Sequence, residues 1–164
     1  MKKRLAVAFT GPSNSGKTTL IIKVSNILQS QGYKVSIIKH DPKDKAIFDK
    51  EGKDSFKFYQ TGANVAVVSP LKTTVMKHTT STIDELASMF EEFDFLLVEG
   101  LKTLPLPRIC IMRNTIEESY FNVSDSIATD GSIDTSKIEN IKDILDLNNA
   151  EMIVEWIKKN GKII

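Results

Sequence analysis

The sequence predicts an α/β fold in three layers, with a mostly parallel, partly mixed sheet covered by helices. Two observations lead to this prediction. Short apolar runs that suit buried strands alternate with segments whose apolar residues recur at helical spacing. One run, residues 95–98, is apolar at every position, which is typical of a strand buried on both faces at the centre of a parallel sheet.

The first part of the chain predicts a βαβ unit. Residues 4–10 form a short apolar run, and a turn rich in Gly and Ser follows it. Apolar residues then recur at helical spacing until Gly32, after which residues 33–39 suit a second strand. Because strands joined through a helix are usually parallel, we expect these two strands to lie in one parallel sheet.

The middle of the chain predicts a long charged loop and then a hairpin. Residues 41–53 are polar and charged, and a short helix is expected over residues 54–60. Residues 64–69 and 73–77 suit strands, and Pro70 marks a turn between them. We expect these strands to pair antiparallel and to make the sheet mixed.

Two capping boxes predict helices in the second half of the chain. The first, at residues 82–85, opens a helix whose inner face is Leu86, Met89, Phe90 and Phe93. The second, at residues 136–139, is followed by Ile141, Ile144 and Leu145. Residues 109–112 suit a further strand, and a last helix carries Met152, Ile153, Trp156 and Ile157.

Length, charge and cysteine content limit the class of protein. A chain of 164 residues predicts one domain over residues 1–164. Lys and Arg number 22 against 21 Asp and Glu, so no positive field favours nucleic acid or an acidic membrane. The single cysteine, Cys110, excludes an internal disulfide, and the apolar run at residues 5–9 is too short for a signal peptide. We therefore expect a soluble, cytoplasmic protein.

A phosphate-binding motif follows the first predicted strand. Gly11-Pro12-Ser13-Asn14-Ser15-Gly16-Lys17-Thr18 matches G-x-x-x-x-G-K-[ST], and Thr19 comes directly after it. Its position between a buried strand and an amphipathic helix predicts a P-loop fold, in which backbone N–H groups and a helix N-terminus hold phosphates. Lys17 would contact the β- and γ-phosphates, and the Thr18 hydroxyl would bind magnesium. The alternative is a glycine-rich turn whose Lys17 and Thr18 face solvent.

A second acidic position is expected near these phosphates. Asp94 and Glu99 flank the apolar run at residues 95–98, and only Glu99 follows it at the carboxyl end, where a parallel strand meets a phosphate loop. We therefore assign Lys17 and Glu99 as candidate catalytic residues and Glu99 as a candidate magnesium ligand. The alternative for Glu99 is a surface ion pair with Lys102.

Two aspartates further along the chain could also approach the metal. Asp41 ends the second strand, and Asp54 opens the helix after the charged loop. Asp is also a preferred N-cap residue, so Asp54 has a structural alternative that remains open. The two histidines, His40 and His78, have no partner at metal-ligand spacing, which makes a zinc site unexpected.

Several short segments accompany the loop in a fixed order over about the first two thirds of the chain. They are Lys39-His40, Gly52-Lys53-Asp54-Ser55, Thr61-Gly62-Ala63, Leu97-Val98-Glu99-Gly100-Leu101-Lys102 and Pro107-Arg108-Ile109. Together with the loop they resemble the molybdopterin-guanine dinucleotide biosynthesis protein B family. The loop occurs in P-loop proteins generally, whereas the combination of the other segments is more specific to this family.

The resemblance implies a GTP-binding accessory protein with weak GTPase activity, which assists a molybdopterin guanylyltransferase in molybdenum cofactor biosynthesis. It also implies a homodimer. Similarity to dethiobiotin synthetase favours Thr18, Asp54 and Glu99 as the magnesium ligands. The chain lacks an Asn-Lys-x-Asp guanine motif, so GTP is implied by the resemblance alone, with residues 128–130 as the place to look for a base contact.

Two other functions fit the same fold, because fold does not fix function. The first is a small-molecule kinase or a dethiobiotin synthetase-like ligase that uses ATP. Such an enzyme places cations over the transferred phosphate, often on a lid, and the chain's arginines (Arg4, Arg108 and Arg113) are in no obvious lid. The lysines of the charged loop could still form one. The second is a binding module without turnover.

Overall fold

The computed structural model describes residues 3–138 and 140–164, within which the chain has nine strands and four α-helices. The strands are β1 Leu5–Thr10, β2 Val35–Lys39, β3 Val65–Val68, β4 Thr73–Met76, β5 Phe95–Glu99, β6 Arg108–Ile111, β7 Ser126–Thr129, β8 Asp143–Asp146 and β9 Lys162–Ile163. The α-helices are α1 Lys17–Ser30, α2 Asp54–Gln60, α3 Ile83–Met89 and α4 Ala150–Asn160. Short 3₁₀ helices span Glu118–Val123 and Thr135–Lys137.

The chain divides into two compact units. The first contains the residues up to His40 together with Phe90–Ile164, and the second is Asp41–Met89. The division falls at the start of the segment that was expected to be a charged loop. A single domain over residues 1–164 stays a prediction.

A seven-stranded sheet forms the first unit, in the order β2-β5-β1-β6-β7-β8, and β9 pairs with β1. All neighbours are parallel except β9, which is antiparallel to β1. The mostly parallel α/β prediction is therefore confirmed. The sheet is mixed because of β9, whereas the predicted hairpin, β3 with β4, forms a separate two-stranded antiparallel sheet in the second unit.

Alternate residues of the central strands enter two apolar clusters on opposite faces of the sheet. On one face Phe9, Leu97 and Ile109 pack with buried residues of α1 and α4. On the other, Cys110 and Ile127 pack with apolar side chains that include those of the 3₁₀ helix Glu118–Val123. Residues 95–98 of β5 are buried as predicted, since β5 lies between β1 and β2.

The helix predicted from the capping box at residues 136–139 is wrong. Ser136 lies in a one-turn 3₁₀ helix capped by Asp134, whose carboxylate accepts a bond from the Ser136 N–H. Glu139 lies outside the described residues. Ile144 and Leu145, expected on one helix face, lie in strand β8 instead, where Leu145 is buried and Ile144 is 44% exposed.

The capping box at Thr82 and Glu85 is confirmed, but the predicted inner face of its helix is largely wrong. The Thr82 N–H donates to the Glu85 carboxylate, and the Glu85 N–H donates to the Thr82 hydroxyl. Met89 and Phe90 remain exposed, and Phe93 is buried only beyond the end of α3. The spacing predicted the helix correctly, but within the described residues Met89 and Phe90 of the predicted inner face are not covered.

The second unit holds together through polar and aromatic contacts. The rings of Tyr59 and His78 stack with centroids 3.9 Å apart, and the Tyr59 hydroxyl donates to the Lys77 carbonyl. None of residues 41–89 is buried in this chain. Across the described residues, no helix combines the length and the apolar character that a bilayer span requires.

The alternation in β8 predicts unequal costs for two neighbouring truncations. Leu145→Ala removes packing from the core and should lower the free energy of unfolding by about 2–4 kcal/mol. Ile144→Ala, on the exposed side of the strand, should cost less than about 1 kcal/mol. Urea unfolding of both variants measures the difference, and equal losses would favour the helix that the sequence predicted.

Candidate functional site

The loop between β1 and α1 turns through residues with positive φ. Gly11, Asn14 and Gly16 have φ values of 137°, 62° and 100°. A Cβ atom on Gly11 would lie 2.3 Å from the carbonyl oxygen of Ile111, at the end of β6. Only glycine fits there, because the loop passes against the backbone of the neighbouring strand.

Helix α1 begins at Lys17 with its first backbone N–H groups directed into this loop. Gly16 is the N-cap residue in a left-handed conformation, and within the described chain no side chain caps the helix. The first turn contains no acidic residue. The positive end of the helix dipole and its N–H groups can therefore act on an anion held by the loop.

The Lys17 ammonium lies over the loop itself. It donates hydrogen bonds to the carbonyl oxygens of Gly11, at 3.0 Å, and Pro12, at 2.6 Å. Partial burial lowers the pKa of Lys17, and the nearby Glu99 carboxylate opposes that effect. The side chain is thus a partly desolvated cation, which interacts with phosphate more strongly than one in water.

One cavity of about 430 Å³ brings most of the predicted site residues together. Its lining residues are Ser13, Asn14, Gly16, Lys17, Thr18, Thr19 and Glu99. A larger cavity, about 740 Å³, lies near the amino ends of β1 and β5, but its charged groups contact one another, as Lys34 does with Glu92. We therefore place the site at the loop, while the roles of its individual residues stay predictions.

Glu99 ends β5 beside the loop. It is in register with Phe9 of β1 and with Lys39 of β2, so it lies at the carboxyl edge of the sheet. The expected alternative was an ion pair with Lys102, yet the Lys102 ammonium lies 3.7 Å from the centroid of the Tyr120 ring. No ion pair joins Glu99 to Lys102 in the part of the chain that the structure describes.

A buried arginine, Arg108, whose contacts the sequence did not predict, holds the segment after Glu99. Arg108 is 1% exposed, and its guanidinium donates to the carbonyl oxygens of Gly100, Leu101 and Leu104 at 2.8, 2.9 and 3.1 Å. Gly100 and Leu101 both have positive φ. Burial lowers the pKa of Arg108, and Asp125 opposes the shift. These three bonds keep the backbone beside Glu99 in one conformation.

Asp54 belongs to the second unit and is not an N-cap. Lys53 occupies the N-cap position of α2, and Asp54 is the first helical residue. Its carboxylate accepts a bond from Lys57 at 3.3 Å. Asp41 accepts bonds from the N–H groups of Lys45 and Ala46 within its own loop. A magnesium role for Asp54 stays a prediction.

No cluster of three or more His, Cys, Asp or Glu side chains suited to a metal occurs within residues 3–138 and 140–164. Magnesium at the loop would therefore take many of its ligands from phosphate oxygens and water, which is its usual coordination in phosphate sites. The hydroxyl of Thr18 and the carboxylate of Glu99, which line the same cavity, fit that coordination.

The loop, its position between a parallel β-strand and a helix, and the strand order define a P-loop nucleotide-binding fold. The sequence profile of one family, described as "Molybdopterin guanine dinucleotide synthesis protein B", matches residues 6–130. The chain therefore belongs to the MobB family, as the sequence resemblance indicated.

Two relatives match nearly the whole chain. A "Molybdopterin-guanine dinucleotide biosynthesis adapter protein" of Haemophilus influenzae is 30% identical over 93% of this chain and 86% of its own length. The protein of the same name from Escherichia coli is 28% identical over 94% of each chain. Because these relatives are named as adapters, the kinase or ligase alternative is not favoured.

Solved structures agree on the fold. A crystal structure of molybdopterin-guanine biosynthesis protein B matches with a TM-score of 0.73 at 24% identity, covering 94% of this chain and 99% of that one. Bacillus subtilis MobB also has a TM-score of 0.73, at 21% identity, over 96% and 98% of the two chains. At these identities the likeness concerns the fold alone.

Proposed function

We propose that this protein binds GTP with magnesium at residues 11–19 and assists a guanylyltransferase that converts molybdopterin to its guanine dinucleotide form. The observation that carries the proposal is the cavity in which the Lys17 ammonium, the start of α1 and Glu99 meet. The adapter role follows the names of the relatives. The lone, buried Cys110 suits a reducing compartment, which supports a cytoplasmic location.

Binding of the phosphates follows from charge and backbone geometry. Three positive φ values give the loop the tight turns in which successive N–H groups can form an anion-binding concavity, and Lys17 adds a positive charge. The carbonyl oxygens that now accept the Lys17 hydrogen bonds are weaker acceptors than phosphate oxygens. A triphosphate in the cavity would therefore draw the ammonium from Gly11 and Pro12 onto its β- and γ-oxygens.

Magnesium, when bound with the phosphates, would be held by side chains that line the cavity. Thr18 and Glu99 are the ligands that the cavity offers, and Asp54 is proposed as a third by similarity to dethiobiotin synthetase. When bound, the ion neutralises charge on the β- and γ-phosphates. Glu99 is held for this role because Arg108 fixes the backbone that follows it.

Slow hydrolysis follows from how the chain's arginines are used. An arginine directed at the transferred phosphate accelerates hydrolysis by about 10³–10⁵-fold in related enzymes. Here Arg108 is bonded to three carbonyl oxygens, Arg113 pairs with Asp130, and Arg4 lies over the ring of Phe93. None of the three arginines lines the cavity that Lys17 and Glu99 share. We therefore expect a GTPase far slower than the roughly 10 s⁻¹ typical of enzymes.

A homodimer is proposed through the second unit. A segment of this size without a buried core is not stable in water alone, and many of its apolar side chains are exposed: Ile47, Phe48, Phe58, Val67, Val68, Leu71, Val75 and Met89. The β3–β4 hairpin is also a two-stranded sheet, which is marginal by itself. A second copy that covers the unit would supply the missing burial.

The adapter role predicts a loss of assistance in the variant Lys17→Ala. Purified protein added to a molybdopterin guanylyltransferase at limiting GTP should raise the yield of guanine dinucleotide cofactor. Lys17→Ala should bind the triphosphate at least about tenfold more weakly and give no increase, because the β- and γ-phosphates lose their cation. Cofactor yield is measured by chromatography.

The control for this experiment is Lys159→Ala, which removes an exposed lysine of α4. It should assist as the wild type does. Equal yields with wild type, Lys17→Ala and no added protein would rule out the adapter role. Rapid phosphate transfer to a small acceptor by the chain alone would instead support the kinase or ligase.

The magnesium site predicts a selective effect of Glu99→Gln. Removing one negative charge without changing shape should raise the magnesium concentration needed for GTP binding by about tenfold, with little change in melting temperature. Calorimetric titrations at several magnesium concentrations measure this, with Asp54→Asn as a second test and the surface variant Glu155→Gln as the control. A large loss of stability with unchanged magnesium dependence would make Glu99 a structural residue.

The proposed dimer predicts dissociation when charge is placed on the exposed hairpin. Wild-type protein should sediment as a dimer, and the double variant Val68→Glu, Leu71→Glu should sediment as a monomer, since two carboxylates would be buried without partners. The control Ile22→Glu changes an exposed apolar residue of α1 in the first unit and should leave the dimer intact. A monomeric wild type would contradict the proposal.

A further inference from the structure

A second cavity adjoins the phosphate cleft on the side away from Glu99. It has a volume of about 240 Å³ and shares Gly16 and Thr19 with the phosphate cavity. Its other lining residues are Leu20, Lys23, Arg113, Leu147 and Asn148. Arg113 follows β6, and the last two residues follow β8, so the cavity lies at the carboxyl edge of the sheet.

Strand order indicates which end of a nucleotide would enter this cavity. Glu99 belongs to β5, which flanks β1 on one side, whereas β6, β7 and β8 lie on the other. If the γ-phosphate and the metal lie beside Glu99, the α-phosphate and the nucleoside extend past Gly16 and Thr19 toward β6. The adjoining cavity is then where the base would lie.

A network of hydrogen bonds holds Arg113 at this cavity. The Arg113 Nε donates to Asp130 Oδ2 at 2.7 Å, and Asp130 Oδ1 accepts bonds from the hydroxyl and the N–H of Ser132. The Ser132 hydroxyl also accepts a bond from the Asn114 N–H. Hydrogen bonds from Ser132 and Arg113 lower the pKa of Asp130 to about 2, so this carboxylate is ionised at neutral pH.

This arrangement directs the free end of the guanidinium toward the loop. Arg113 Nη1 lies 3.8 Å from the position of a Cβ atom on Gly16. Asp130, by contrast, uses both oxygens within the network. A carboxylate that reads guanine must accept from its N1 and N2 groups, whereas Asp130 already accepts three hydrogen bonds within the network. Asp130 and Ser132 thus hold Arg113 in place through its Nε. The Nη donors of Arg113 are therefore the groups that can contact a ligand in this cavity.

We propose that Arg113 is a specificity-determining residue whose Nη groups bind O6 and N7 of the guanine base. This inference rests on the proposed nucleotide site and adds its choice of base. An arginine fork matches the two acceptors on that edge of guanine, whereas adenine places its N6 amino group, a donor, opposite the fork. The pair of donors therefore favours GTP over ATP without an Asn-Lys-x-Asp motif.

The test compares the affinities of wild-type protein for GTP, ATP, ITP and 7-deaza-GTP with magnesium, measured by calorimetry. ITP keeps O6 and N7 and lacks only the N2 amino group, so it should bind within about threefold of GTP. ATP should bind about tenfold or more weakly, because the bidentate contact is lost. 7-Deaza-GTP should fall between them, since it lacks one of the two acceptors.

Variants then assign the preference to a side chain. Arg113→Gln should weaken GTP binding about tenfold and leave ATP binding unchanged, so the ratio approaches one. Arg113→Lys keeps the charge without the fork and should recover only part of the ratio. Arg4→Gln, which changes an arginine stacked on Phe93 outside the cavity, is the control and should keep the wild-type ratio. Melting temperatures check that each variant is folded.

Several outcomes would overturn the inference. Equal losses of GTP and ATP in Arg113→Gln would mean that Arg113 binds a phosphate. If ITP binds far more weakly than GTP, another group recognises the N2 amino group of guanine. If the preference for GTP over ATP is lost only in Asn148→Ala, Asn148 and not Arg113 recognises the base. If binding depends on Lys17 but GTP and ATP bind with equal affinity, the proposed recognition of the base is wrong, while the proposed phosphate site is still supported. A wild type that binds no triphosphate would overturn both.

Discussion

The close approach of the loop after β1 to the end of β6 constrains the whole site. Gly11 leaves no room for a side chain because the Ile111 carbonyl oxygen occupies the space where a Cβ atom would be. The loop can then turn at the carboxyl edge and start α1 at Lys17. That start directs the N–H groups, the ammonium and the Thr18 hydroxyl toward one cavity. Parallel pairing of β1 with β5 and β6 supplies the rigid frame that makes this turn reproducible.

Two arginines, Arg108 and Arg113, contact the segments on either side of the loop, and they do so in different ways. Arg108 is buried and satisfies backbone carbonyls, so its charge acts on structure: it fixes the left-handed segment beside Glu99. Arg113 is half exposed and pairs with Asp130, so its orientation is fixed while its outer donors stay accessible. Desolvation explains the difference, because a buried guanidinium must have its donors paired, whereas one at the surface need not.

The parts of the molecule that sequence predicted well are those set by local pattern. The motif at residues 11–18, the helix after it and the uniformly apolar β5 are each specified within a short stretch. Strand β8 was mistaken for a helix, since a pair such as Ile144 and Leu145 fits either element when the apolar run is short. Met89 was placed on an inner face because helical spacing shows that a face is apolar, without showing what covers it.

The contacts of the arginines escaped prediction for a different reason. Arg113 and Asp130 follow different strands and are 17 positions apart, so no periodicity links them. Arg108 is the first residue of the buried strand β6, and an isolated charge in the sequence gives no sign of the three carbonyl groups that surround it. Such pairings depend on strand order, which a single sequence leaves open. The position of the loop and of Glu99 at the carboxyl edge of the sheet was therefore predictable, and the groups around them were not.

The position of the second unit in the chain has a consequence for conformational entropy. Strands β2 and β5 are neighbours in the sheet, and the chain between them leaves after His40 and returns before Phe95. Once the two strands pair, the connecting segment is a closed loop, and doubling its length costs only about 0.6 kcal/mol more in closure entropy. The sheet therefore tolerates a connection of almost any length at this point. Among related chains, insertions and deletions are expected to concentrate between these two strands, while the register of β2 on β5 is preserved.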